Sequence, residues 1–146
     1  MEPKFQVQLK IRKPVAEVFD AVVDPDKLSG YFVQKSSGPM APGTTVMWKF
    51  PELDEEFPVT VREVVPNQRL TFEWEAAETG YNTLVEMLFE PLDPDNTMVR
   101  VRESGWRPTE KGVESSYGNA GGWMHMMACM KAYLEYGINL RAGGAF

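Results

Sequence analysis

The stretch GGWMHMMACMKAYLEYGINL, residues 121–140, gathers Trp123, the single histidine (His125), the single cysteine (Cys129) and four of the nine methionines. Trp123, Met127, Met130 and Leu134 recur at i, i+4, i+7 and i+11, the spacing of one apolar stripe on a helix. Met126, Tyr133 and Gly137 widen the stripe, while Met124, Lys131 and Glu135 fall opposite. The helix is expected to begin between Glu114 and Gly121, because Gly118, Gly121 and Gly122 blur its first turn. With roughly 20–25 residues it would be about 30–37 Å long, enough to cross a whole domain. Such a stripe must lie against another layer.

That layer is legible upstream. Phe5, Val7, Leu9 and Ile11 alternate with Gln6, Gln8, Lys10 and Arg12, which predicts a half-buried strand. Pro14 suits the first position of a helix, and Val15, Val18, Phe19 and Val22 follow at helical spacing. Pro25 interrupts that helix, since the residue before a proline avoids the α region, and Asp24 can cap a second, short helix ending near Gly30–Tyr31. Strands are predicted at 45–50, 57–65, 69–76, 81–92 and 97–106. Their connections are short, which makes sequential strands antiparallel neighbours. An acidic segment, PELDEE (51–56), reads as an exposed tip. The expected class is α+β: two short helices after the first strand, then an antiparallel sheet of six to seven strands, then one long C-terminal helix.

Composition limits the function. The 146 residues suit one domain, 1–146, large enough to fold around its own core. A net charge of −6 argues against a nucleic-acid partner. No apolar run reaches the roughly 18 residues of a membrane span, so membrane insertion is not expected. One cysteine cannot form an internal disulfide, and the simplest location is the cytoplasm.

The order of elements is that of the helix-grip fold, a curved sheet wrapped on a long helix. VAEVFDAVVDPDKLSGYF (15–32) resembles the opening of the SRPBCC superfamily, with Tyr31-Phe32 where the usual pair is Trp-Phe. RVRESGW (100–106), followed by GGWMHMMACMKAYLEYG (121–137), resembles the end of the branch similar to the activator of heat-shock-protein ATPase. The resemblance covers essentially the whole chain. It implies a cavity between sheet and helix, open near the short helices. Family members include lipid carriers, hormone receptors, polyketide cyclases and stress proteins, so fold alone does not choose a function.

The aromatic residues carry the strongest site signal. Tyr31 and Phe32, Trp48, Phe72 and Trp74, and Trp106 lie on elements that such a fold brings together. Tyr81, Thr83, Val85 and Met87 share one face of a strand, and Trp123, Met126, Met127 and Met130 supply the helix wall. Apolar walls with a few polar tips are what small-molecule pockets use. Three residues are weak candidates for catalysis. Glu103 continues the Val99–Val101 face and Glu63 the Val59–Val61 face; a carboxylate on an inward face could orient a ligand or act as a general acid or base. Equally, both stand near strand ends, where a face emerges into solvent. His125 could serve as a base and, with Cys129 one turn on, could ligate a metal. The chain has no second histidine or cysteine, so the ligand set is too thin, and no metal or cofactor is expected. The expected function is binding of a small hydrophobic, aromatic or lipid-like molecule. The alternatives are an enzyme of cyclase, dehydratase or hydrolase type in the same cavity, and a co-chaperone-like interaction module. A homodimer is compatible with either.

Overall fold

The computed structural model describes residues 1–144; the last two residues of the expected 1–146 domain lie outside them. Strand β1 (Lys4–Ile11) leads into helices α1 (Val15–Val23) and α2 (Pro25–Leu28). Asp24 between them is extended, as a residue before proline should be, and its carboxylate accepts from the Asp26 amide at 2.9 Å. Pro14 takes the N-cap position rather than the first helical turn. Strands β2 (Lys35–Ser36), β3 (Thr45–Lys49), β4 (Phe57–Val65), β5 (Arg69–Glu75), β6 (Asn82–Asp93) and β7 (Asn96–Ser104) follow. They form one curved antiparallel sheet in the order β1-β7-β6-β5-β4-β3-β2. The two-residue β2 at the edge makes the seventh strand.

Residues facing the concave side form continuous rows across the strands. Val61, Phe72, Val85 and Glu103 are paired in sequence across β4, β5, β6 and β7, and Phe5 on β1 completes the row. Helix α3 (Glu110–Tyr136) lies in the concavity, 27 residues long. Trp123, Met126, Met127, Cys129 and Met130 are buried on it, which places the expected stripe against the sheet. Glu135, expected on the opposite face, is instead tied down. It accepts from the Arg12 amide (3.0 Å), the Arg12 side chain (2.7 Å) and Lys131 (2.6 Å), and its side chain is only 3% exposed. The flank of α3 packs on β1, so that side of the helix is not solvent.

The start of α3 also differs from expectation. Thr109 caps it, accepting from the Gly112 amide at 3.0 Å, several residues before Glu114. Gly112 permits this early start, because a Cβ there would collide with the Arg107 carbonyl oxygen. At the other end Gly137 adopts the left-handed conformation (φ 67°). The Gly137 amide donates to Tyr133 O at 3.0 Å and the Ile138 amide to Ala132 O at 3.2 Å. This closes the helix, and the chain turns back into a 3-10 turn, Leu140–Gly143.

Candidate functional site

Four aromatic rings meet where the middle of α3 crosses the sheet. Trp74 (β5) and Trp123 (α3) lie 5.4 Å apart, and Phe32, just after α2, lies 5.6 Å from Trp123 and 5.2 Å from Phe50. Between them is a recess of about 150 Å³, bounded also by Asn119, Gly122, His125 and Arg141. That volume holds about one aromatic ring. A wider groove of about 590 Å³ adjoins it, sharing Phe50, Trp74 and Asn119 and reaching Leu53, Pro58 and Asn82.

A buried carboxylate sets the position of the two tryptophans. Glu103 is 1% exposed and accepts from Trp123 Nε1 (2.9 Å), Trp74 Nε1 (2.9 Å), Thr83 Oγ1 (2.7 Å) and Asn119 Nδ2 (3.1 Å to each oxygen). The donors come from β5, β6 and α3, so one side chain on β7 fastens four elements. All four are neutral, and among the described residues no ion pair reaches Glu103. A carboxylate in such a place is held by hydrogen bonds alone.

The remaining predicted residues fall into groups. Trp48, Phe72, Val85, Met87, Met126, Met127 and Met130 are fully buried and pack as core. Trp48 stands 5.4 Å from Phe72, and its indole Nε1 has no hydrogen-bond partner among the described residues. Instead of lining open space, these side chains fill the interior. Tyr31 is also fully buried, its hydroxyl donating to Ala21 O at 3.1 Å and its ring 5.4 Å from Tyr133; burial pushes the phenol well above its ordinary range. Trp106 packs 5.8 Å from Phe5, away from the recess. Phe32, Trp74, Trp123 and His125 are the predicted residues that the recess brings together.

Two orientations differ from expectation, and one hydroxyl is already engaged. Glu63 does not continue the inward face, because a β-bulge between Val61 and Glu63 shifts the register and sets Glu63 opposite Thr71. There it pairs with Arg69 (Nε to Oε1, 2.6 Å) on the outer face. Tyr81 precedes β6 rather than belonging to it. Its hydroxyl donates to Glu78 at 2.9 Å and accepts from the Arg107 amide at 3.2 Å, with the Arg107 guanidinium 4.4 Å over the ring. The Thr83 hydroxyl points inward but is committed to Glu103.

His125 is half-buried on the rim, its Nε2 3.4 Å from Cys129 Sγ. Burial, then the nearby Arg141 guanidinium, hold the imidazole's pKa below its ordinary value, with Glu52 opposing; the ring is therefore neutral at pH 7. Burial raises the Cys129 thiol, so it is a poor nucleophile. Phe50, Asn119, Gly122 and Arg141 were not anticipated in the site. Asn119 is one helical turn before Trp123 and would have been legible had the helix been started at Thr109. Arg141 follows the helix and had no periodic signal.

Comparison with known proteins places this geometry. The chain matches the family model described as Activator of Hsp90 ATPase homolog 1-like protein over residues 12–135. No curated protein matches it. Among solved structures, protein SSP2350 from Staphylococcus saprophyticus is 28% identical over 94% of this chain and 96% of its own, with a TM-score of 0.81. DynU16, a protein in the dynemicin biosynthetic locus, is 25% identical over 95% of this chain, with a TM-score of 0.81; this chain spans 49% of it. The Aha1 dimer from Colwellia psychrerythraea shares the fold at 19% identity, 92% and 97% coverage and a TM-score of 0.75. With a curved seven-stranded sheet clasping α3 and a family match running from Arg12 to Glu135, the chain belongs to the Activator of Hsp90 ATPase homolog 1-like family of the SRPBCC superfamily.

Proposed function

We propose that the protein binds a small hydrophobic or aromatic molecule in the recess between sheet and α3. The observation that carries this reading is the recess itself. Phe32, Phe50, Trp74 and Trp123 offer ring faces to a space of about 150 Å³, while Asn119, His125 and Arg141 supply polar groups at its edge. Apolar walls with a few convergent polar groups are the usual make-up of a ligand pocket. The adjoining groove has room for a substituent on the bound ring. The same reading takes residues 1–146 as one cytoplasmic domain without nucleic-acid partner, membrane insertion or cofactor. No helix among the described residues is long and apolar enough to cross a membrane. It also admits a homodimer, of the kind reported for the Colwellia psychrerythraea protein.

A second reading, catalysis on such a molecule, is favoured by the neutral His125 beside the recess and by the biosynthetic locus of DynU16. A co-chaperone role follows the family's description alone. Titration of 15N-labelled protein with benzyl alcohol tests the binding reading. Binding in the recess moves the Trp74 and Trp123 indole signals and the Gly122 amide, and the Gly122→Leu variant loses it. A Cβ at Gly122 meets nothing within 4 Å, so the leucine side chain starts from open space, and a thermal melt of the variant checks that its fold is kept. Unperturbed indole signals across single-ring and two-ring ligands would refute the reading.

A further inference from the structure

At the polar edge of the recess, Arg141 holds a carboxylate of the chain itself. Arg141 lies on the 3-10 turn after α3, with its guanidinium 4.9 Å from the Phe50 ring centre and 5.5 Å from that of Phe32. Its fork holds Glu52 through two contacts, Nε to Oε2 at 3.1 Å and Nη2 to Oε1. The two partners differ in how firmly they are placed. The Arg141 side chain is 10% exposed and stacked on two rings, whereas the Glu52 side chain is 45% exposed. Glu52 stands in the exposed 51–56 segment, with no regular secondary structure. The guanidinium is thus fixed and the carboxylate is the exchangeable member.

Resting on the recess being a ligand site, we infer that its ligand is a small aromatic carboxylate. The ring enters among Phe32, Phe50, Trp74 and Trp123, and the carboxylate replaces Glu52 on Arg141. A planar guanidinium fork matches a carboxylate through two parallel hydrogen bonds. Glu52, once displaced, stays on the exposed tip, so a bound carboxylate adds a single negative charge near the acidic segment. A phosphate dianion would set a second negative charge beside Glu52 on this acidic segment, so the tip selects against it. The depressed pKa of His125 keeps a neutral imidazole on the rim, so Arg141 is the cation that orients the ligand there. Glu52 acts as a built-in competitor: it satisfies Arg141 when the recess is vacant and weakens binding of ligands too poor to displace it.

Calorimetric titration of the full chain with phenylacetate and with neutral benzyl alcohol tests this. Phenylacetate is expected to bind at least ten-fold more tightly than the alcohol. Arg141→Met, which keeps an apolar stem over the phenyl rings, removes that preference by weakening phenylacetate at least ten-fold more than it weakens the alcohol. Glu52→Gln tightens phenylacetate three-fold or more without altering the alcohol. Equal affinities for acid and alcohol, with no response to Glu52→Gln, would overturn the carboxylate assignment while the recess remained a ligand site. Binding of neither compound would overturn both.

Discussion

From Trp123 to Tyr136, α3 buries Trp123, Met126, Met127, Cys129 and Met130; from Glu110 to Gly122 it buries only Gly112 and Ser116. Both halves belong to one continuous helix. The rear half is held by apolar area, the dominant stabilising term for an amphipathic helix. Its methionines fill an irregular interior where Phe72, Val85, Met87 and Val101 are also fully buried. The front half contains four glycines and has little apolar surface to bury. A cap at Thr109 and the hydrogen bonds from Asn119 to Glu103 hold it instead, with Trp123 at the junction bonded to the same carboxylate. Packing can tolerate a changed shape, whereas a buried carboxylate cannot lose its donors, nor the donors their acceptor. The recess sits at the junction, where neither the core nor the hydrogen-bond network fills all the space.

The largest expected effect is on the network. Glu103→Ala leaves two indole N–H groups, a threonine hydroxyl and an asparagine amide without their acceptor. Chemical denaturation should show a loss of about 3–5 kcal/mol, and the melting temperature should fall by roughly 10 °C or more. Binding to the recess should be lost with it, because Trp74 and Trp123 are no longer fixed. A loss below about 1 kcal/mol would mean that the front half is held by something else.

Next comes the packed half. Met127→Ala is expected to cost about 3 kcal/mol, transfer plus cavity. Met127→Leu should cost less than about 1.5 kcal/mol, since core volume is conserved. If the leucine variant were as damaging as the alanine, the rear half would depend on shape as strictly as the front half depends on its hydrogen bonds.

A pH titration probes the tether at the end of the rear half. Burial alone would raise the pKa of Glu135, but the Arg12 amide, Lys131 and the Arg12 side chain outweigh it and hold the carboxyl at about 2, against an ordinary 4.5. Because the folded value is the lower one, the stabilisation is complete above about pH 4.5 and fades as pH falls towards 2. The stability gap between the native chain and Glu135→Gln should therefore be about 1–2 kcal/mol near neutrality, Arg12 being largely exposed, and should narrow steadily in acid. A constant gap from pH 7 to about pH 2.5 would show that the charge contributes nothing.

The smallest effect has the opposite sign. Gly118→Ala and Gly121→Ala should each stabilise by about 0.5–1 kcal/mol, because glycine is a poor helix former and a Cβ at either position meets nothing within 4 Å. Thermal melts of the two variants check this. Destabilisation would mean that this face of the front half is covered in solution.

Much of the architecture was written in local pattern. Alternation in Phe5–Ile11, Arg69–Glu75 and Asn96–Ser104 marks strands because side chains alternate across a sheet. Asp24-Pro25 marks the break between the short helices, and the Trp123–Met127–Met130 spacing marks the buried face of α3. These signals depend only on neighbouring residues. Glu63 escaped them, since a bulge changes the parity of a strand without a warning in the alternation. The start of α3 escaped too. Glycines at 112, 118, 121 and 122 argue against a helix, and only the close passage at Arg107 and the cap at Thr109 reverse that preference.

Glu103 shows where the division lies. Its inward direction follows from the Val99–Val101 alternation, but a strand end can equally emerge into water. Burial came from α3 folding over that end of β7 and bringing Asn119 and Trp123 to within hydrogen-bonding distance. Arg141 reached the recess in the same way, through a chain reversal at Gly137 that has no periodicity to read. The sequence alone therefore determined the family, the strand-and-helix order and the buried stripe, because those depend on short-range periodicity and on recurrent motifs. Only the tertiary structure decided that most of the aromatic and methionine set is core, and that Phe32, Phe50, Trp74, Trp123 and Arg141 surround the open space. Which atoms share a small volume depends on how distant elements cross, and no local pattern encodes that crossing.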